Sequence, residues 1–290
     1  MPSKSTPKEL VSIIVRTQGK RQNLLRAALG SIIAQSYARL EVLVVEDGSS
    51  LVKELVNEAN EKTSKDLRYF AIERSGRCAA GNIGLACANG AFIGFLDEDD
   101  ELYPTHVETL HDALTQNESI GLAYGGADKV LSNGLVDDQV EDIESTSHAA
   151  FMAFSRTKLW LQNQFPIQRA LFRRALYDEY GGFDPNLELL EDWDLWIRFS
   201  ASQSFLAVDK VTSLYRLPAS LADLKLRTAM HESFKSKVIQ KHRDLEGLHR
   251  FGDISALPDE TIGAIPFRRA LSLAGSAFLT KIKKLGREND

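Results

Sequence analysis

Residues Gly90–Pro104 read GAFIGFLDEDDELYP, an apolar run that ends in five consecutive acids. Phe92–Leu96 is short, aromatic and bounded by a turn signal at Asn89-Gly90. That pattern predicts a buried strand. Residues two apart in extended chain point the same way, so Asp97 and Asp99 are expected to project together from the strand end. Two carboxylates held close repel each other unless a cation or a proton lies between them. A hard divalent ion, Mn²⁺ or Mg²⁺, suits such oxygen donors and keeps positions for water and substrate phosphates. A solvated acidic loop is the plainer alternative.

Working outward, the first hundred residues alternate apolar strands and amphipathic helices. Strands are expected at Val11–Arg16, Leu40–Val45 and Leu67–Ile72, and helices at Arg21–Gln35, Leu51–Lys62 and Arg77–Asn89, the last with Asn89-Gly90 as its C-cap. Such alternation implies an α/β fold with a Rossmann-like, mostly parallel central sheet flanked by helices. Ligands of these sheets bind beyond the carboxyl ends of the strands. Three polar clusters fall there: Arg16-Thr17, Glu46-Asp47 and Asp97–Asp100.

Further along, a helix is expected at Pro104–Thr115 and a strand at Leu122–Val130. Ser132–Ser147 reads as an exposed acidic hairpin or a loop. Gln168–Tyr180 reads as a helix stopped by Gly181-Gly182, both expected at positive φ. Another helix is expected at Asp192–Ala201 and a strand within Phe205–Tyr215. Leu221 to about Leu248 is helical in pattern. A last helix, about Phe267–Leu285, has a narrow apolar seam edged by Arg and Lys. It suits either packing on protein, a second subunit included, or contact with an anionic membrane surface.

The chain has 290 residues with 43% hydrophobic and 26% charged, which fits an ordinary globular protein with a sizeable core. A net charge of −5 argues against nucleic acid as a partner. No run reaches the roughly 18 apolar residues of a membrane span, and the polar start lacks a signal-peptide core, so a cytoplasmic protein is expected. Cys78 and Cys87 share one expected helix about 13 Å apart, too far for a disulfide, and read as reduced. His106 and His111 read as helix-surface residues. Trp193 and Trp196 read as core, with stacking on a sugar as the alternative.

The ordered strings resemble inverting family-2 glycosyltransferases with the GT-A fold. GAFIGFLDEDDELYP is similar to their Asp-x-Asp segment, and VSIIVRTQGKRQNLLRAALGSIIAQSY to their first strand and helix. LEVLVVEDGSS resembles their second strand and acidic turn. GRCAAGNIGLACANG resembles the helix before Asp-x-Asp, and GGFDPNLELLEDWDLWIRFS the catalytic-base segment. The matches run in family order from about Val11 to Ser220.

That resemblance implies a GT-A catalytic domain over 1–220, with nucleotide-sugar binding in 8–130 and the acceptor and base half in 131–220, then a helical C-terminal extension over 221–290. It implies Asp99 as the principal metal ligand, with Asp97 supporting the metal or the ribose. Asp47 would bond the nucleotide base, and Arg16 and Thr17 would line the base and ribose pocket. Arg77 and Asn82 would reach the diphosphate and donor. The family's Ala-Arg-Asn triplet reads Ala80-Gly81-Asn82 here, and Arg77, one helical turn earlier, can compensate for the missing arginine.

Asp192 matches the general base. An acidic residue there also suits a helix N-terminus, and both readings stand. The implied partners are a nucleotide-sugar donor, with UDP as the expected nucleotide, and a saccharide or lipid-linked saccharide acceptor. Surface-polysaccharide assembly is the implied setting, with possible peripheral contact at the inner membrane face. Relatives carry a histidine after a late Tyr-Arg pair, whereas Tyr215–Ser220 reads YRLPAS and has none. A sugar-phosphate nucleotidyltransferase would place a glycine-rich loop after the first strand, but Arg16–Arg21 has one glycine. A non-catalytic nucleotide-sugar binder would not need Asp192.

Overall fold

Every residue of β1 (Val11–Thr17) is buried. The strand is flanked in parallel by β2 (Leu40–Asp47) on one side and β4 (Phe92–Asp97) on the other, with β3 (Asp66–Ile72) beyond β2. The computed structural model describes residues 9–148 and 153–244. Alternation along β1 sends Val11, Ile13 and Val15 to one face, where α1 (Gln22–Ile33), α2 (Lys53–Asn60) and α4 (His106–Thr115) supply Leu25, Leu29, Val56 and Leu110 to the main core. Ile14 and Arg16 face the other way, toward α3 (Arg77–Cys87).

Register places the chemistry at one level. Arg16 stands opposite Asp97 and Thr17 opposite Glu46. The sheet continues past β4 through β8 (Ala170–Arg173), β6 (Ile120–Asn133), β9 (Ser204–Pro218) and the two-residue β5 (Glu101–Leu102), while β7 (Glu141–His148) pairs with β6. β8 runs antiparallel to both its neighbours, so the second half of the sheet is mixed. The remaining helices are α5 (Arg156–Leu161), α6 (Arg174–Tyr180), α7 (Glu191–Ser200) and α8 (Leu221–His242).

Several local expectations are corrected. The helix expected over Gln168–Tyr180 is a 3-10 turn (Ile167–Arg169), then β8, then α6. Ala170, Leu171 and Phe172 are buried between β4 and β6, and that burial overrides their helix propensity. Asn89-Gly90 is not a left-handed C-cap: α3 ends at Cys87 and Ala88 is already extended at ψ 139°. Gly90 is needed for space, since a Cβ there would lie 2.6 Å from the Ser12 amide nitrogen. Gly181 has the expected positive φ of 73°, but Gly182 does not; a Cβ on Gly182 would meet Asn82 Oδ1 at 2.2 Å.

His106 and His111 are buried rather than on the helix surface. His106 Nδ1 lies 3.0 Å from Thr212 Oγ1, and burial pushes it down to about 4. His111 packs between the Tyr37 and Phe92 rings. Ser132–Ser147 forms the β6–β7 hairpin. Both cysteines are free. Among the described residues no helix is long and apolar enough to cross a membrane. The helix expected at Phe267–Leu285 lies outside the described residues.

Close packing of α3 on β1 rests on Gly84, where a Cβ would come within 2.3 Å of a methyl carbon of the buried Ile14. Gly84→Val should lower stability by about 1–3 kcal/mol, the usual cost of overpacking a core, read as an earlier urea midpoint. An unchanged midpoint would show that this contact yields freely.

Candidate active site

The centre of the site is Arg16, which is only 4% exposed. Its guanidinium grips Asp97 with two bonds of 2.7 and 3.0 Å and Glu191 with one of 2.9 Å. It lies between the Phe95 and Phe183 rings, 5.7 and 5.5 Å from their centroids. Gly81 leaves the room for this, since a Cβ there would strike the Phe183 ring. Arg77 closes the cluster with Asp97 at 2.9 Å and Glu191 at 3.4 Å. Burial pushes the Asp97 carboxyl up, but Arg16 and Arg77 outweigh it and hold the group at about 2.

A second layer orders the acidic loop. Thr17 donates to Glu98, and Arg21 reaches Glu98 at 2.7 Å and Asp99 at 2.9 Å. Burial pushes Glu98 up, and burial together with Asp99 and Asp97 pushes Asp100 well up. Arg216 ties the loop to the hairpin through the Asp99 carbonyl at 3.1 Å, Glu101 at 2.7 Å and Asp142 at 3.1 Å. Asp47 holds the turn into α3 by accepting from the Ser75 and Gly76 amides at 2.7 and 3.0 Å.

These groups surround a cavity of about 490 Å³. Arg16, Thr17, Asp47, Arg77, Asp97 and Asp99 all line it, together with the cationic Lys20, Arg21, Arg216 and Arg227. The hairpin tip contributes Leu135 and Val136, the latter 92% exposed. Asp138 fastens this tip to α1 by accepting from the Asn23 and Leu24 amides at 2.7 and 3.0 Å. The helix lacks a side-chain cap of its own, and Asp138 adopts φ 61° to supply one.

Two expected site residues are not among those lining the cavity. Asn82 pairs both amide atoms with the Phe183 backbone, at 2.7 and 2.9 Å. Asp192 is half-buried in the first turn of α7 beside Glu191. Its Oδ1 accepts from the Trp193 amide at 2.8 Å and its Oδ2 from Asn163 at 2.9 Å. Burial first, and then the neighbouring Glu191, push Asp192 up to about 7. Trp193 and Trp196 are core residues and are 1% and 0% exposed. Sequence reasoning missed Arg21, Glu98, Asn163, Glu191 and Arg216. The Glu191-Asp192 doublet was a usable signal for one of them; Asn163 had none.

The donor set fits a hard divalent ion attached through few carboxylates. Asp99 commits one oxygen to Arg21, and its side chain is 25% exposed at the cavity. Among the described residues no cage of three or more Asp, Glu, His or Cys forms, so phosphates and water would complete the shell.

The sequence matches the family described as glycosyl transferase family 2 over residues 12–181, more than half its length. The chain belongs to that family. An uncharacterized glycosyltransferase of Rickettsia bellii is 27% identical over 95% of this chain but only 36% of its own length. Glycosyltransferase GlyA of Streptococcus pneumoniae is 32% identical over 50% of this chain and 24% of its own. The chain thus spans about a third or less of these two relatives.

Two solved structures share the GT-A fold. S. aureus TarS 1–349 in complex with UDP-GlcNAc matches over 91% of this chain and 75% of that 1–349 chain, at 19% identity and TM-score 0.61. Mannosyltransferase PcManGT from Pyrobaculum calidifontis, in complex with GDP-Man and Mn²⁺, covers 97% and 81%, at 20% identity and TM-score 0.62.

The Arg16 cluster generates two stability predictions. Arg16→Met strands the Asp97 and Glu191 charges and should cost about 3–5 kcal/mol, read by urea unfolding. Asp97 has its folded value depressed to about 2 from 3.8, so its stabilisation is full above 3.8 and is lost as pH falls through about 2. The urea midpoint of the native chain should therefore drop across that window, and Asp97→Asn should remove that part of the drop.

Proposed function

We propose that the chain is an inverting glycosyltransferase that moves a sugar from a nucleoside-diphosphate sugar to an acceptor hydroxyl. The observation that carries this reading is the cavity at the carboxyl ends of β1, β2 and β4. It gathers acidic Asp47, Asp97 and Asp99 with cationic Arg21, Arg77 and Arg227. Cationic walls suit a diphosphate, and the acidic strand ends suit the sugar, ribose and base donors. In this reading Asp47, Arg16 and Thr17 form the nucleotide end, and Arg77 acts at the diphosphate. Asn82 acts through the Phe183 turn that backs Arg16.

Asp192 takes the proton of the acceptor hydroxyl as that oxygen attacks the anomeric carbon. The bond to the diphosphate oxygen breaks on the opposite face, which inverts the centre. A base near neutrality is well matched to this step, and burial beside Glu191 brings Asp192 to about 7. Mn²⁺ or Mg²⁺, held by Asp99 with Asp97 behind it, would supply charge neutralisation for the leaving diphosphate. The UDP-GlcNAc bound to TarS and the GDP-Man and Mn²⁺ bound to PcManGT support a nucleotide-sugar donor and a divalent ion. The acceptor in this reading is a saccharide or lipid-linked saccharide of a surface glycan.

Calorimetric titration of UDP, GDP, dTDP and CDP, each with and without Mn²⁺, tests the donor site. One nucleotide should bind, and Asp99→Ala should weaken its metal-dependent part; no binding of any nucleotide to folded protein would sink the reading. Asp192→Asn should keep nucleotide binding and lose about 10²–10⁴-fold in turnover. The native rate should rise as pH climbs through about 7, because the base must be ionised.

A further inference from the structure

α5 and the segment that follows it are pressed onto the helix carrying Asp192. Trp193 Nε1 donates to the Leu159 carbonyl at 2.5 Å, and Trp160 Nε1 to Ser200 Oγ at 3.4 Å. The Phe165 and Trp196 rings meet at 5.6 Å. This docking delivers Asn163 to the carboxylate, with its Nδ2 donating to Asp192 Oδ2 at 2.9 Å.

Local structure does not account for Asn163. Ser155 is the residue that caps α5, and Gln164 pins the segment by donating to the Ser155 carbonyl at 2.6 Å. Asn163 Oδ1 is buried and has no partner among the described residues. The amide therefore spends its one hydrogen bond on Asp192. An asparagine amide presents a donor on one side and an acceptor on the other. It can donate to an ionised carboxylate and, turned over, accept from a protonated one.

We propose that Asn163 is a positioning residue for Asp192, donating to Oδ2 while the carboxylate is ionised and accepting from it once it holds the acceptor's proton. This rests on the reading of Asp192 as the base. The proton lost by the acceptor hydroxyl resides on Oδ2, and the amide turns so that Asn163 Oδ1 receives that hydrogen bond. The Trp193 amide keeps Oδ1 of Asp192 in place throughout.

The groups that face Asp192 oppose one another. Burial and Glu191 push its proton affinity up, whereas Asn163, the Trp193 amide and Arg77 from α3 pull it down. Removing Asn163 therefore moves the titration in a definite direction, upward, which a merely structural loss would not do.

The test is a carbon-13 carboxyl titration of the full chain, with the Asp192 signal identified by its loss in Asp192→Asn. Asn163→Ala should move the midpoint up by about one pH unit, the margin by which a hydrogen bond to the ionised carboxylate exceeds one from the neutral acid. The near-isosteric Asn163→Asp should share a proton with Asp192 and split the titration into two steps. It keeps the question open to test if the alanine variant unfolds. An unmoved midpoint in a folded variant overturns the proposal.

A second readout is slow hydrolysis of UDP-GlcNAc or GDP-mannose, followed as nucleoside diphosphate release. Asn163→Ala should lose about fivefold in kcat near pH 7 with the donor KM unchanged, and should recover as pH rises. A loss that persists at high pH overturns the positioning role. Native rates in Asp192→Asn beside a shifted midpoint in Asn163→Ala would instead overturn the base assignment and leave the hydrogen bond intact.

Discussion

A guanidinium buried at the end of the central strand needs anions around it, and much of the site follows from that demand. Arg16 points to the face opposite the main core because the strand alternates, and it arrives level with Asp97 because β1 and β4 are parallel and in register. One carboxylate does not use all its donors, so Glu191 is drawn in from a helix far along the chain. Each partner alone would be a costly buried charge; together they satisfy one another. The parallel half of the sheet and the α7 half are thereby joined by charge as well as by the sheet.

The same cluster sets unequal conditions for neighbouring acids. Asp97 faces two arginines and stays ionised. Asp192, one residue beyond Glu191, is poorly solvated and, secondly, lies close to that carboxylate, so it holds its proton to about neutrality. Two aspartates built on one scaffold thus differ by several pH units in proton affinity, and environment alone makes the difference. Glu191 does both jobs, closing the arginine cluster on one side and raising Asp192 on the other.

The parallel half of the fold was legible because its strands are apolar runs ended by acids and turns. The antiparallel half was less so. β8 is four residues long, too short to show a period, and Ala170–Phe172 suits a helix equally well until burial decides. Six expected site residues line one cavity because strand ends are predictable places. Asn82, expected at the donor, braces the Phe183 turn, a partnership that no local pattern announces. Asn163 lies in a stretch with no motif, and its role exists only after Trp160 and Trp193 have docked that stretch. The buried histidines were misread because a helix face cannot be told inside from outside where Tyr37, Phe92 and Thr212 arrive from other elements.

The hairpin tip over the cavity is held by Asp138 through backbone amides of α1. Backbone amides are present whatever the side chains are, so this part of the fastening does not depend on its neighbours; only the Asn23 side-chain amide, donating to the Asp138 carbonyl at 3.1 Å, does. The residues between Asn133 and Asp138 carry little of the fold's packing, and Val136 is almost wholly exposed. Gly134 has no room for a side chain, but those of Leu135 and Val136 can be exchanged while the floor of arginines and acids stays fixed. The chamber therefore has a base locked by ion pairs and a roof whose exposed side chains are free of that lock, so the shape of its mouth can change without reopening the problem of folding.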